Sequence, residues 1–289
     1  EETANNITDS ADCAIGFEAA HMVLAGLQGC RDDYVYHIEH GKCSYSITQP
    51  VPCVALCPAG VDIPGYIALV GEERYADAVS LIRKDNPFPT ACALICEHPC
   101  EARCRRNMID SSVNIRGLKR MAVDNAPANT VPVPPKAPST GKRIAIAGGG
   151  PGGLSAAYYL ELMGHHAVVF EQKSQLGGML RYGIPNYRFP RERLDEDIEA
   201  ILSTGVEVHT NANIGNGEND IPLSRLREDF DAVYIAIGAH TDKKIGMEGE
   251  DAQGVISAVE MLRNIGDGNP PDFTGKRVIV VGGGNVAMD

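Results

Sequence analysis

Residues 143–154, Arg143-Ile-Ala-Ile-Ala-Gly-Gly-Gly-Pro-Gly-Gly-Leu154, constrain the fold of this chain more than any other stretch. Four apolar residues, Ile144 to Ala147, read as a buried parallel strand. Glycines follow at once, and Leu154-Ser-Ala-Ala-Tyr-Tyr-Leu160 opens a helix. Gly148-x-Gly150-x-x-Gly153 thus sits between strand and helix, where a dinucleotide fingerprint must sit. Gly148 permits the tight turn, Gly150 lets the backbone approach a pyrophosphate, and Gly153 lets helix and strand pack closely. The helix N-terminus turns its free N–H groups toward the phosphates. A second strand, Ala167 to Phe170, ends at Glu171, where an acidic side chain accepts from ribose hydroxyls. Strand, helix, second strand and acid in register favour a nucleotide-binding βαβ unit over a Gly-rich turn in some other α/β protein.

At 289 residues the chain has room for two domains and a sizeable core. No apolar run reaches the roughly eighteen residues of a membrane-crossing helix. The first six residues, Glu1 to Asn6, are acidic and polar, unlike a signal or transit peptide. A cytoplasmic protein is expected. A net charge of −12 argues against nucleic acid or an anionic membrane as partner. It leaves a nucleotide open, because helix termini and a few basic groups can hold phosphate on an acidic protein.

All nine cysteines lie at or before Cys104, and the nucleotide-binding part has none. Clustered cysteines without a secretory signal suggest metal rather than disulfides. The pattern is Cys43, then Cys53-x-x-x-Cys57-Pro, then Cys92-x-x-x-Cys96-x-x-Pro-Cys100-x-x-x-Cys104. Dense soft thiolates select zinc or iron–sulfur clusters, and cysteine followed by proline in short spacings is the iron–sulfur habit. Iron–sulfur ligation leads, with structural zinc and unliganded redox thiols still open. A thiol–disulfide reductase is disfavoured, since its redox pair usually lies within the nucleotide domains.

Residues 1–42 read as helical: Ile15 to Leu27 is one helix, capped by Asp9 or Asp12, and Arg31 to His40 is another. Residues 43–125 show no strand pattern. Asp62 is the expected N-cap of a helix with Pro64 in its first turn. Tyr66–Val70, Tyr75–Ile82 and Val113–Val123 are expected helices, with Asn86-Pro-Phe-Pro89 ending the second. Residues 126–140 are a Pro-rich extended linker marking a domain boundary. Beyond the fingerprint come Gly177-Gly-Met-Leu180, a helix from Arg191 to Leu202, a short strand Val206–Val208 and a strong buried strand from Asp231 toward Ala239. Arg277 to Val281 reads as another strand entering a second fingerprint, Gly282-x-Gly284-x-x-Ala287. Its crossover helix has only begun at Asp289, so the chain reads as a fragment of a longer protein.

Cys13-Ala-Ile-Gly16 and Arg31-Asp-Asp-Tyr34 with Ile38 resemble the tail of the iron–sulfur domain in the NADH-binding subunit of respiratory NADH dehydrogenases. That family's other cluster cysteines have no counterpart here, so Cys13 is expected as a buried or free thiol. A stronger resemblance covers residues 43–289. Cys57-Pro-Ala-Gly-Val-Asp-Ile-Pro64, Asn86-Pro-Phe-Pro89, the Cys92-to-Cys104 run and Ile115-Arg-Gly-Leu-Lys-Arg120 form one ordered series. The Gly148 fingerprint, Gly177-Gly-Met-Leu-Arg-Tyr-Gly-Ile-Pro185 and Ala236-Ile-Gly238 continue it. The series resembles the small subunit of NADPH-dependent glutamate synthase and its relatives. These include the N-terminal part of dihydropyrimidine dehydrogenase and the flavin subunit of NADH-dependent ferredoxin:NADP oxidoreductase.

The resemblance implies a small all-α iron–sulfur domain followed by an α/β Rossmann-like FAD domain of the two-dinucleotide-binding type. Its boundaries are a helical N-terminal segment 1–42, the cysteine-rich domain 43–125, the linker 126–140, the FAD domain 141–275 and the start of an NAD(P)H-binding domain at 276–289. It implies that Gly148, Gly150, Pro151, Gly152 and Gly153 approach the FAD pyrophosphate and that Glu171 takes the adenosine ribose. Gly178, Leu180, Arg181 and Ile184 would border the flavin, with Arg181 near N1 and favouring its reduced form. Val208 would contact the adenine side, and Gly238 with Ala239 would cover the pyrophosphate, although packing alone also accounts for Leu180, Ile184 and Val208. Gly282, Gly284 and Ala287 would serve NAD(P)H, with alanine at the third position leaning toward NADPH.

The same resemblance assigns Cys53 and Cys104 to a first cluster and Cys57, Cys96 and Cys100 to a second. The sequence departs from the family here. The Cys-x-x-Cys that usually precedes the position of Cys53 is absent, and only Cys43 lies near. The second cluster's fourth ligand falls at Lys119, and a protonated lysine has no lone pair to give, so Cys92 or an external group must complete that set. One or two 4Fe–4S clusters are expected.

The implied function is an oxidoreductase in which hydride from NAD(P)H reaches FAD and the clusters carry single electrons to a larger partner subunit or domain. No side chain is needed as acid or base, and His165 and His166 are expected as surface loop residues. Two rivals stand beside it. One is a non-catalytic nucleotide-binding scaffold stapled by zinc or a cluster, and the other is a redox sensor with an exposed cluster.

Overall fold

The computed structural model describes residues 1–41, 51–244 and 246–289, so Cys43 lies outside the described residues. The chain divides into two compact units, Glu1–Val51 and Pro52–Asp289.

The first unit holds α1 (Glu2–Ser10), α2 (Ala14–Gly29) and α3 (Arg31–His40), with α1 packed on α2. Neither Asp9 nor Asp12 caps α2. Cys13 holds the N-cap position with extended backbone and no side-chain cap bond. Asp12 falls one residue too early for its carboxylate to be the cap, and Cys13 is an exposed free thiol. α3 ends at Gly41, whose φ of +65° suits the left-handed turn that closes a helix.

The second unit begins with six helices: α4 (Pro52–Ala55), α5 (Ile63–Gly71), α6 (Tyr75–Asp85), α7 (Pro89–Ile95), α8 (Pro99–Ala102) and α9 (Ile115–Asn125). Asp62 caps α5 by accepting from the Gly65 N–H at 3.0 Å, and Pro64 occupies the first turn. Asn114 caps α9 in the same way through Gly117. Val61, Tyr66, Val79, Ile82 and Val123 form the core of this helical part. Among the described residues from Pro52 to Thr140 there is no strand.

Residues 126–140, expected as an extended linker, are strapped down at both ends. A short 3-10 turn at Ala128–Thr130 leads to Val131, and Ala128 and Val131 are buried. Arg83 of α6, only 1% exposed, donates to the carbonyls of Val131 at 2.8 Å and of Ala128. Further on, the Ala137 N–H donates to the Leu162 carbonyl at 2.8 Å.

The remainder is an α/β layer: β1 (Arg143–Ala147), α10 (Pro151–Leu162), β2 (His166–Phe170), α11 (Met179–Tyr182), α12 (Arg191–Leu202), β3 (Glu207–His209), α13 (Leu223–Asp229), β4 (Ala232–Ile235), α14 (Ala258–Gly266) and α15 (Asn285–Met288). All four strands are parallel in the order β3-β2-β1-β4, with Ile146 beside Val169 and Ala147 beside Ile235. That is the Rossmann-like order, and it places the crevice at the strands' carboxyl ends. Ile146, Leu154, Val169 and Ile198 fill one face, joined by Phe88 and Ala91 from the α7 region. Ala145, Val168, Phe170 and Leu226 fill the other.

Two strand expectations change. The strand expected to be buried from Asp231 toward Ala239 is the edge strand β4, with Tyr234, Ile235 and Ile237 exposed. At an edge it has a hydrogen-bonded neighbour on one side only. Residues 277–281 form no strand, and Ile279 is 88% exposed. A strand exists by pairing, and among the described residues nothing pairs with this segment. No helix among the described residues is long and apolar enough to cross a membrane.

Candidate functional site

The fingerprint glycines are set by sterics. Gly148 continues the sheet by donating to the Phe170 carbonyl at 2.8 Å and then turns with φ +111°, where any Cβ would strike the Ala236 carbonyl. Gly150 is the extended N-cap of α10, with Pro151 and Gly152 in the first turn. Gly153 is buried, and a Cβ there would collide with the Gly148 carbonyl. At Gly152 a Cβ would meet nothing within 4 Å. The first-turn N–H groups of α10 have no carbonyl a turn earlier to bind and are left for a ligand.

Above this turn opens a cavity of about 640 Å³, a size that suits a small-molecule cofactor. Gly148, Gly150, Pro151, Gly152, Glu171, Gly178 and Gly238 line it. Glu171, 6% exposed, accepts from the Gly149 N–H at 2.7 Å through one oxygen and from the Lys173 N–H at 2.8 Å through the other. Each carboxylate oxygen keeps a further lone pair for a hydroxyl. Gly178, with φ +51°, brings its backbone against Gly150, where a Cβ would come 2.7 Å from the Gly150 Cα.

Other expected residues fall elsewhere. Leu180, Ile184 and Val208 pack against the core on the α10 and α12 face of the sheet. Arg181, 7% exposed, donates through Nε to the Leu176 carbonyl at 2.6 Å and pairs with Asp195. Ala239 is exposed beside Gly238. Gly282, with φ +123°, Gly284 as N-cap, and Ala287 stand at α15, away from the cavity lining. His166 lies in β2 rather than in a loop, bonded to Glu207 at 3.0 Å, and His165 bonds Thr140 at 2.7 Å. Asn213 and His240 also line the cavity. No fingerprint marks them, and their only signal is positional, since each follows the carboxyl end of a parallel strand.

The second constellation is sulfur. Cys53 is on α4, Cys57 follows it, Cys92 is on α7, Cys96 ends α7, Cys100 is on α8 and Cys104 follows it. α4 packs on α8, which brings the Cys57 and Cys100 regions together. The Tyr66 phenol is pushed up by burial and then by the nearby Cys100, Cys57 and Cys53. Burial pushes the Cys100 thiol up, Lys119 pulls it down, and Cys96, Glu101 and Cys57 push it further up. Cys53, Cys57 and Cys100 thus lie within electrostatic reach of one tyrosine, and Cys96 lies within reach of Cys100. Cys92 sits within reach of Cys96 and Lys119, and its thiol too is pushed up, chiefly by burial.

The frame around these thiols is polar and tight. The His98 N–H points at the Cys96 sulfur at 3.3 Å, from a left-handed backbone (φ +42°). Arg116 donates to the Cys96 carbonyl at 2.9 Å, and its own N–H donates to Glu101 at 2.9 Å. Among the described residues no three metal-ligating side chains focus on a single ion position, and the thiols are spread over three helices. An all-thiol donor set of this kind suits an iron–sulfur cluster. The glycine cradle with Glu171 suits a dinucleotide.

Comparison with known proteins agrees with both halves. Residues 36–131 match the dihydropyrimidine dehydrogenase domain II, 4Fe–4S cluster family, and residues 142–289 match the pyridine nucleotide-disulphide oxidoreductase family. All of this chain aligns with 45% of the NADPH-Fe(3+) oxidoreductase subunit beta of Geobacter sulfurreducens, at 38% identity. With the NADP(+)-dependent formate dehydrogenase subunit beta of Moorella thermoacetica the identity is 40%, over 85% of this chain and 38% of that one. With the glutamate synthase [NADPH] small chain of Mycobacterium tuberculosis it is 34%, over 81% and 50%. The chain spans half the length of these curated relatives or less.

Proposed function

Since this chain belongs to the pyridine nucleotide-disulphide oxidoreductase family and carries a 4Fe–4S domain ahead of it, we propose that it is the electron-entry part of a larger oxidoreductase. In this reading, electrons pass between NAD(P)H, FAD and one or two 4Fe–4S clusters, and on to a partner subunit or domain. When bound, FAD would supply acceptance of one hydride, with its electron pair, and release of those two electrons singly, and the clusters would supply one-electron carriage.

The residues supply position and charge. Gly150, Gly152 and Gly153 bring backbone N–H groups to the pyrophosphate, Gly148 makes the turn that lets them approach, and Glu171 orients the adenosine ribose by accepting hydrogen bonds from its hydroxyls. Gly178 and Gly238 close over the same cavity. Cys57, Cys96 and Cys100 hold one cluster. Cys53 and Cys104 hold the second where it forms, and Cys43 and Cys92 are the remaining candidate ligands. Gly282, Gly284 and Ala287 begin the second nucleotide site of a two-dinucleotide-binding protein. Clustered cysteines that serve as cluster ligands rather than disulfides fit a reducing, cytoplasmic setting. A larger electron-accepting partner fits relatives named as beta subunits and a small chain.

One observation carries this reading. The helix that bears Cys92 and ends at Cys96 shares a core with the fingerprint, through Phe88 and Ala91 against Ile146 and Leu154. Thiols and nucleotide cradle are parts of one packed body, as electron transfer between their cofactors requires. The test is an anaerobic ultraviolet–visible spectrum of the purified chain with iron, sulfide and zinc assays. Flavin bands with about four irons per cluster are expected, and a colourless zinc protein would sink the reading.

A further inference from the structure

Lys119 stands on α9, 7% exposed, inside the helical core that surrounds Tyr66. Its Nζ lies 5.7 Å from the centre of the Tyr66 ring. Among the described residues no carboxylate stands within ion-pair distance of it. Glu101, on α8 beside Cys100, is already engaged by the Arg116 N–H and by His98. What packs around the Tyr66 ring is sulfur. Tyr66 and Cys100 share one buried core, Cys53 and Cys57 pack against it, and α9 packs on α7, which carries Cys92.

A buried ammonium is costly unless an anion answers it, and an aromatic face answers only part of that cost. Among the described residues, the groups packed around that ring that can answer the charge are the cysteines, once they are thiolates of a cluster. Resting on the reading of these thiols as cluster ligands, we propose that Lys119 is the fixed countercation of the Cys57, Cys96 and Cys100 set. It raises the reduction potential of the cluster held there. The lysine acts through charge rather than ligation, because its protonated amine has no lone pair. One-electron reduction adds one negative charge to the sulfur–iron set. A cation fixed beside it, away from water, favours that added charge more than a solvated one would.

Lys119→Met keeps the apolar stem and removes the charge, whereas Lys119→Arg keeps a charge at the same place. Redox titration of the full chain, followed by electron paramagnetic resonance, is run with iron and sulfide assays on the same samples. At the parent midpoint, the reduced-to-oxidised ratio of one cluster should fall tenfold or more in Lys119→Met, a shift of about 59 mV for a one-electron couple. It should stay near the parent value in Lys119→Arg. Loss of iron from Lys119→Met with retention in Lys119→Arg supports the same conclusion. Retained iron with no moved midpoint overturns it. So does an equal shift, or an equal loss of iron, in both variants, since shape rather than charge would then be at work. A parent chain without iron fails earlier, at the reading of the thiols as cluster ligands, and takes this proposal with it.

Discussion

Asp197, on α12, accepts from the backbone N–H of Ala91, on α7, at 2.8 Å, and its second oxygen accepts from the Thr90 N–H at 3.1 Å. One carboxylate from the nucleotide-binding layer thereby satisfies two first-turn N–H groups of the helix that carries Cys92 and ends at Cys96. The side chain is fully buried, with the Arg83 guanidinium of α6 in electrostatic reach. This contact, with Phe88 and Ala91 in the shared core, fixes the thiol-bearing helix against the sheet.

Asp197 should leave a signature in stability against pH. Burial pushes its carboxyl up to about 7, against the pull of Thr90, Ala91 and Arg83. The unfolded value is about 3.9, so at intermediate pH the folded chain holds a proton that the unfolded chain has released. Stability from this group is therefore complete below the unfolded value and declines as pH rises through about 7. Urea midpoints of the parent should carry this decline, and Asp197→Asn should lack it, the difference between the two curves being the readout. Asparagine offers a single carbonyl, so one buried N–H loses its acceptor and the variant is weaker by ~1–3 kcal/mol. Parallel curves would remove Asp197 as the titrating group.

Neighbouring glycines of the fingerprint should fail in different ways. At Gly152 an added Cβ meets nothing within 4 Å, and the residue lines the cavity. Gly152→Ala should keep or gain up to ~1 kcal/mol of stability from helix propensity, yet weaken FAD binding about tenfold, or ~1.4 kcal/mol. At Gly153 the Cβ runs into the Gly148 carbonyl and comes 3.2 Å from Ile146. Gly153→Ala should lose stability by ~1–3 kcal/mol and FAD together. Thermal melts and fluorescence titrations separate the two cases. Parental FAD affinity in Gly152→Ala would mean that the cavity is not the cradle.

Much of this was legible in the sequence because it depends on short-range pattern. The apolar run into Gly148, the Asp62 cap with Pro64, and the helix from Arg191 to Leu202 each follow from neighbours within one turn or one strand. What escaped depends on distant partners. Asp197 sits in the charged run Arg191-Glu-Arg-Leu-Asp-Glu-Asp197, which reads as a solvated face, and its partner Ala91 lies 106 residues away. Arg83 reads as a surface residue, yet it closes on carbonyls of a segment that looks like a free linker. The stretch Arg277–Val281 has every strand residue it needs and no strand, since pairing is not a property of one segment. Thiol spacing pointed to clusters, but only packing shows Tyr66 and Cys100 in one core with Cys53 and Cys57 against it, and Lys119 over the Tyr66 ring.

The Asp62 cap offers a control that touches neither cofactor. Its side chain is bonded to Gly65 at the start of α5, and α5 contributes Ile63 and Tyr66 to the helical core. Asp62→Ala should cost ~1 kcal/mol in a denaturant titration, with flavin and iron content unchanged. Loss of iron at this modest cost would mean that the thiol site depends on the helix entry far more than its packing suggests.

Arg181 separates two roles for one guanidinium. The family resemblance implies a charge beside the flavin, whereas the structure commits the group to the Leu176 carbonyl and to Asp195. Those bonds hold the loop in which Gly177 (φ +118°) and Gly178 (φ +51°) bring backbone against Gly150. Arg181→Ala should therefore release the loop, leave the Leu176 carbonyl without its donor at a cost of ~1–3 kcal/mol, and weaken FAD binding. The flavin midpoint should hardly move, because Asp195 already answers the positive charge. Lysine lacks the planar fork that reaches both partners, so Arg181→Lys should not rescue binding. Affinity by fluorescence and midpoint by spectroelectrochemistry decide the matter on the same samples. A lowered flavin midpoint with parental affinity would show the charge acting on the flavin directly, and the loop-holding role would be wrong.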